Sequence, residues 1–402
     1  MTRLSTTHVD VMSVIKVSPP RLRTKEREGH RAATWLELFY DLAFVVAVAV
    51  LAVRLLDDSD PRGVASYFGY FALVWWLWVS HTFYADRYDT DDLVYRMLAA
   101  GQMVAVVVIA TSLSNEVSGS TTAFAIGYAT SKILLVAMYW RAYRHVHETR
   151  TLVRGYLLGF GLAAIIWTVS AFATDTLRYP LWVMAFAIDL ATPWVMRSEQ
   201  AKVPLDVSHL PERFGLFTIL VLGETITGVV AGLSHVEWAF SSTLAAALTV
   251  GVATALWWLY FDNARGSVVR RDPSVRRTWR PTAWLYGHMP LAAALVSSGV
   301  ALEHAVSEAG HGPMHGDARW LLVVSAAVAF ACFALFHLAS SSPGARDRTL
   351  VYSRLIGIPV LLAIGLLTTL ESQWVVLAVL IVCVAQVISD LASSSRLTEA
   401  TI

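Results

Sequence analysis

Two carboxylates stand near the start of a long apolar run, Glu37 and Asp41 in T-W-L-E-L-F-Y-D-L-A-F-V-V-A-V-A-V-L-A-V, Thr34 to Val53. Four residues apart, they lie on one helical face about one turn from each other. An ionisable group inside a membrane span costs at least about 2.5 kcal/mol on insertion scales and seldom faces lipid. That face therefore looks into protein or water, where carboxylates bind protons or cations or act as acid and base. His209, Glu212 and Arg213 open a second such run, which continues to Glu224. Lys132, Asp189 and Glu224 fall near the middle of their runs, too deep to snorkel comfortably. Unpaired charges there would neutralise, so Lys132 is expected to pair with Asp189 or Glu224. His81 lies close to the end of the second run, at about the depth of Asp41, with Asp86 and Arg87 just beyond. Glu37, Asp41, His81, His209, Glu212 and Arg213 are thus expected to form an inward-facing polar vestibule. Within it Asp41 should share a water-reachable cavity with His81. The blander readings are that Glu212 answers the helix macrodipole and that the deep charges only lock helices together.

The elements that position these residues must be membrane helices. The chain has 402 residues, 56% of them hydrophobic and only 15% charged, far more apolar than a soluble domain. Its fifteen tryptophans suit aromatic belts at two interfaces. Cys332 and Cys383 both fall inside apolar runs, which excludes a disulfide framework and a metal knuckle. Twelve apolar segments emerge, near 34–56, 64–84, 93–113, 121–142, 152–173, 179–196, 214–233, 239–261, 282–304, 318–339, 350–370 and 374–391. About 20 residues of helix cross the hydrocarbon core, so each is long enough. The first 33 residues hold seven Lys/Arg and no apolar stretch, and read as a mobile cytosolic arm. With that arm inside, 26 Lys/Arg fall on the cytoplasmic side and four outside: Arg54, Arg62, Arg178 and Arg319. The arginine-rich loop Arg265 to Arg280 then reflects topology rather than nucleic-acid binding.

The halves read as copies. E-L-F-Y-D-L from Glu37 parallels E-R-F-G-L-F from Glu212, and L-V-W-W-L-W from Leu73 parallels A-L-W-W-L-Y from Ala255. G-Q-M-V-A-V from Gly101 parallels G-H-M-P-L-A from Gly287, and R-T-L-V recurs from Arg150 and Arg348. The expected organisation is an arm over 1–33, a six-helix repeat over 34–196, a cytosolic connection over 197–213, a second repeat over 214–391 and a tail over 392–402. Six spans per copy give both copies one orientation, a parallel repeat of the kind found among secondary transporters. The fold class is an all-α integral membrane protein, in the inner membrane with both termini cytoplasmic.

Three stretches carry a family resemblance: W-L-E-L-F-Y-D-L-A-F-V-V-A from Trp35, H-L-P-E-R-F-G-L-F-T-I-L-V-L-G-E from His209 and, more weakly, Y-G-H-M-P-L from Tyr286. Together they resemble the bacterial low temperature requirement A (LtrA) family of multi-pass membrane proteins. The resemblance implies location and architecture and brings no settled activity. It adds His288 of the third stretch to the candidate residues.

No H-E-x-x-H, G-x-S-G, Walker A or G-x-G-x-x-G pattern occurs, so metalloprotease, serine protease and ATP-driven chemistry find no support. Tyr40-Asp41 lacks the G-x-G-D partner of aspartyl intramembrane proteases. His304, His311 and His315 match no metal-ligand spacing, and no cofactor is implied. The expected function is ion- or proton-coupled secondary transport, with lipid and protons or small cations as partners and no nucleic acid. Gly223 and Gly228 beside Glu224, and Pro193, Pro290 and Pro359 inside spans, suit helices that unwind or kink. A channel, a lipid-directed membrane enzyme and a non-catalytic stress protein are the alternatives.

Overall fold

The computed structural model describes residues 17–23, 33–89, 91–114, 120–203, 209–234, 236, 238–263, 279–339 and 348–399. Twelve long helices run through them: α1 Trp35–Asp57, α2 Pro61–Arg87, α3 Leu93–Leu113, α4 Ser120–His145, α5 Arg150–Ala171 and α6 Asp175–Val195, then α7 His209–Ser234, α8 Phe240–Asn263, α9 Arg280–Ser307, α10 Gly316–Ala339, α11 Arg348–Gly365 and α12 Ser372–Glu399. All but α6 are long and apolar enough to cross a membrane. The sixth expected span is a helix of 21 residues that carries Asp175, Arg178 and Asp189 as well as Pro180 and Pro193. The protein is an all-α multi-pass membrane protein. A two-residue antiparallel pairing, β1 Arg21–Leu22 with β2 Tyr88–Asp89, is the one named sheet among the described residues.

Side chains at the helix starts explain where several begin. Thr34 caps α1 through a capping box: its hydroxyl accepts from the Glu37 amide at 3.2 Å, and the Glu37 carboxylate accepts from the Thr34 amide at 2.7 Å. Asp60 accepts from the Arg62 and Gly63 amides ahead of α2, with Pro61 as the first helical residue. Asp92 does the same for α3 through the Tyr95 amide.

The chain forms two compact units, one of residues 1–29, 80–108 and 121–204 and one of 30–79, 109–120 and 205–402. These units cut across the sequence halves, because α1 and most of α2 pack with the carboxy-terminal helices. In the second unit α9 is the hub. It packs on α1, α7, α8, α10 and α12, and its residues from Leu291 to Leu302 are buried on every side. Ala292 to Ala294 and Ser297 to Gly299 make this possible, since small side chains let helices approach closely. A side chain at Gly299 would strike Thr225 of α7. In the first unit α5 and α6 are joined in the same way: side chains added at Gly155 or Gly159 would collide with Met196 or Thr192.

Candidate functional site

The second unit brings four of the expected residues together. Glu37 and Asp41 sit one turn apart on α1, and His209 and Arg213 sit one turn apart on α7. The two helices present these pairs to each other. Arg213 grips Asp41 with two bonds, Nε to Oδ2 at 3.1 Å and Nη2 to Oδ1 at 2.5 Å. Its Nη1 stands 3.4 Å from Glu37 Oε1, and His209 Nε2 stands 3.4 Å from Glu37 Oε2. Trp78 of α2 donates its indole N–H to Asp41 Oδ1 at 2.7 Å. Glu212 faces the lead-in to α1 instead, accepting from the Ala33 amide at 3.3 Å.

Asp41 and Arg213 are 0% exposed and Glu37 is 3% exposed. Asp41 is thus enclosed among the described residues, with both carboxylate oxygens engaged by Arg213 and Trp78. Burying ions demands that they be paired and hydrogen-bonded. Two carboxylates against one guanidinium leave a deficit of one positive charge, and the set is neutral when His209 or a carboxyl group holds one further proton. Around it lies an aromatic wall. Trp78 stacks on Phe217 at 4.3 Å between ring centroids and meets Phe214 edge-on at 5.0 Å. His288 belongs to this wall and not to a solvent-facing surface. Its Nδ1 donates to the Trp284 carbonyl at 2.6 Å, its Nε2 accepts from Tyr260 Oη at 3.1 Å, and Phe336 stacks on the ring.

Glu224 sits further along α7 and is different. It is half-buried, and it makes no hydrogen bond or ion pair with any described residue. Gly223 beside it is open on its outer side, and the Glu303 carboxylate of α9 lies against Gly228 one turn on. A cavity of about 680 Å³ opens where α7 and α9 end and α8 begins, lined among others by Ser241, Ser242, Ser307 and Glu308. Val229, Ala245, Ala246 and Val306 pack together next to it.

The first unit holds the other expected residues. Lys132 Nζ is 2.7 Å from Asp189 Oδ1, both groups fully buried, so of the two acids expected as its partner it is Asp189 that Lys132 meets. The ammonium also lies 4.2 Å from the centre of the Phe160 ring. His81 contacts Gln102 Oε1 through Nδ1 at 2.7 Å and Tyr95 Oη through Nε2 at 3.3 Å. Arg87 is buried, with the Tyr156 ring 5.9 Å away.

One ionic site escaped the sequence reading. Arg354 of α11 donates to both oxygens of Asp390 on α12 at 2.6 Å, and to Gln386 Oε1 at 2.6 Å. Gln386 in turn accepts from Ser353 at 2.8 Å. Both ions fall near the ends of their runs, where a charge is ordinary. The available signal was the i, i+4 spacing of Gln386 and Asp390. Asn115, Glu116 and the loop from Ala264 to Thr278 lie outside the described residues.

The family described as bacterial low temperature requirement A protein matches residues 32–387. The chain is also similar to an uncharacterized protein of Rhizobium meliloti (strain 1021), 26% identical over 289 residues, which cover 69% of this chain and 70% of that one. Among the described residues no group of three or more His, Cys, Asp or Glu is placed to hold a metal ion.

Proposed function

The chain belongs to the bacterial low temperature requirement A family, and on that premise we propose that it is a secondary transporter driven by a proton or small-cation gradient. The observation that carries this is Glu224. A carboxylate midway along a membrane helix, half-buried and without a partner, needs a proton or a cation to offset its charge. It stands about 17 Å from Arg213 along α7 by helix rise, between glycines that permit local unwinding. In this reading Glu224 binds and releases the driving ion. The α1–α7 quartet is a latch, neutral as a set with its extra proton, that holds the two helices together in one state. The cavity where α7 and α9 end and α8 begins is the vestibule on one side.

All twelve long helices cross the membrane in this proposal, α6 included. The charges of α6 are taken up internally, Asp189 by Lys132 and Asp175 by Arg178 at 2.5 Å. Beyond its first turn, where Asp175 and Thr176 are exposed, α6 exposes Leu177, Val183, Met184 and Val195. Both termini then lie in the cytoplasm, and the two six-helix halves form a parallel repeat.

The test is reconstitution into proteoliposomes with an imposed proton or sodium gradient and an interior ion-sensitive dye. Adding pools of small solutes should accelerate collapse of one gradient, and Glu224→Gln should abolish the acceleration while remaining folded. A Glu224→Gln protein that responds like the wild type would remove the assignment.

A further inference from the structure

The first unit contains a run of polar contacts that the transport reading does not use. It begins at the end of α2 and the start of α3, where the Asp92 carboxylate receives the Tyr95 amide at 3.0 Å. Tyr95 Oη meets His81 Nε2 at 3.3 Å, and His81 Nδ1 meets Gln102 Oε1 at 2.7 Å. An amide oxygen only accepts, so Nδ1 carries the imidazole proton and Nε2 accepts from the phenol. Gln102 Nε2 then donates to the Ser131 carbonyl at 3.0 Å. Ser131 adjoins Lys132, and Lys132 contacts Asp189. The buried members of this run are polar throughout.

At its inner end the hydrogen-bond count does not close. The Lys132 ammonium meets Asp189 Oδ1 at 2.7 Å, and Asp189 Oδ2 has no hydrogen-bond partner among the described residues. The Tyr128 and Ser131 hydroxyls and the Trp167 indole N–H are also buried without hydrogen-bond partners among the described residues. Tyr128 lies one turn from Lys132 on α4, and its ring stacks on Trp167 with centroids 3.9 Å apart. Buried polar groups are nearly always satisfied, and a cluster that is not satisfied needs a reason.

We infer that Asp189 is a proton-binding carboxylate and that Lys132 changes partners when Asp189 is protonated. An O–H bond of an incoming hydronium breaks, an O–H bond forms on Asp189, and water leaves. Lys132 keeps its three N–H bonds and remains a cation. Two features make that state tolerable in a dry bundle. Phe160 already lies under the ammonium and retains its attraction after the carboxylate is neutralised. The Tyr128 hydroxyl, one turn from Lys132 on α4, offers a lone pair that no described residue uses. That hydroxyl is thus the partner of the protonated state. The titratable side chains around the pair are Tyr128 on α4 and, beyond Gln102, His81 on α2 and Tyr95 on α3. Tyr139 and Tyr156 close the far side of Phe160.

Infrared difference spectroscopy on the full-length protein in lipid nanodiscs tests this without a transport assay. A jump from mildly alkaline to mildly acid pH should produce the carbonyl band of a protonated buried carboxyl group. The band should vanish in Asp189→Asn and persist in Glu224→Gln. A band that survives Asp189→Asn, or no band in the wild type, overturns the site. Should Asp189→Asn fail to fold, Tyr128→Phe decides. Its melting midpoint should match or exceed the wild type at alkaline pH and fall below it at acid pH, whereas an equal shift at both would overturn the partner exchange. Loss of ion-coupled transport with the band intact would refute the transport reading and leave this one standing.

Discussion

Arg213 is the residue on which the second unit's polar chemistry turns. It answers two carboxylates from one helix while fully buried, so removing it strands both. Breaking one side of a buried ion pair typically costs about 3–5 kcal/mol. Arg213→Met should lower stability by about that much in a thermal or denaturant melt, and adding Asp41→Leu should recover part of the loss. Additive losses would show that the pair does not act as a unit. Asp41→Asn is expected to be less benign than its matched shape suggests, since it leaves Arg213 facing only Glu37 at 3.4 Å. The same logic holds for Lys132→Met against the double change with Asp189→Leu. How much of this was legible is instructive. Glu37, Asp41, His209 and Arg213 stand out because each is an ion at or inside an apolar run. Their mutual pairing does not, because 172 positions separate the partners and helical spacing speaks only within a helix. The same limit hid Trp78, whose indole N–H looks like one more belt tryptophan until Asp41 is seen beside it.

At the scale of elements, the clearest departure from the sequence reading is the amino-terminal segment. It was expected to be a mobile arm, yet residues 17–23 are tied down. Leu22 pairs with Tyr88 and Arg21 with Asp89 in a two-stranded ladder. Ser18 donates to Asp92 at 3.3 Å, and Arg141 of α4 bridges the Ser18 carbonyl at 3.3 Å and Asp92 at 2.8 Å. A polar, proline-containing stretch gives no periodic signal, so nothing in it announces a docking partner. Burial raises the Asp92 carboxyl, but hydrogen bonds from Arg141 and from the Tyr95 and Ser18 amides more than offset this and hold it below its usual range. A depressed folded value means the stabilisation is fully present above the unfolded value, about 3.9, and is lost as pH falls through the folded one. Amide exchange of residues 17–23 should therefore stay slow at neutral pH and accelerate only in acid. Asp92→Asn should make it fast at every pH. Fast exchange in the wild type at neutral pH would contradict the ladder.

For the whole molecule, the question is which side each end occupies, and the arginines on the sparsely charged side bear on it. Four Lys/Arg were assigned outside, and three of them are occupied by helix ends. Arg54 donates to the Leu113 carbonyl at the end of α3 at 3.3 Å. Arg178 donates to the Ser170 and Ala173 carbonyls at the end of α5 at 3.1 and 2.8 Å. Arg319 donates to the Gly365 carbonyl at the end of α11 at 3.0 Å. The last carbonyls of a helix lack intrahelical partners and sit at the negative end of its dipole, so a guanidinium there is a cap. These three are explained by local structure and need no topological excuse, while Arg62 is exposed. The charge asymmetry is then sharper than the raw count, and it orients the chain only if the number of crossings is even. That number hinges on α6. With its ions paired inside the first unit and Leu177, Val183, Met184 and Val195 exposed, α6 presents a surface suited to lipid. Twelve crossings place Glu308 outside and Ser198, just past α6, in the cytoplasm. A cysteine at Glu308 should react with a membrane-impermeant maleimide in intact cells, and one at Ser198 should react only after lysis. Native Cys332 and Cys383 are buried and leave little background. If instead the cysteine at Ser198 reacts in intact cells and the one at Glu308 does not, α6 does not cross, the crossings number eleven, and the termini lie on opposite sides.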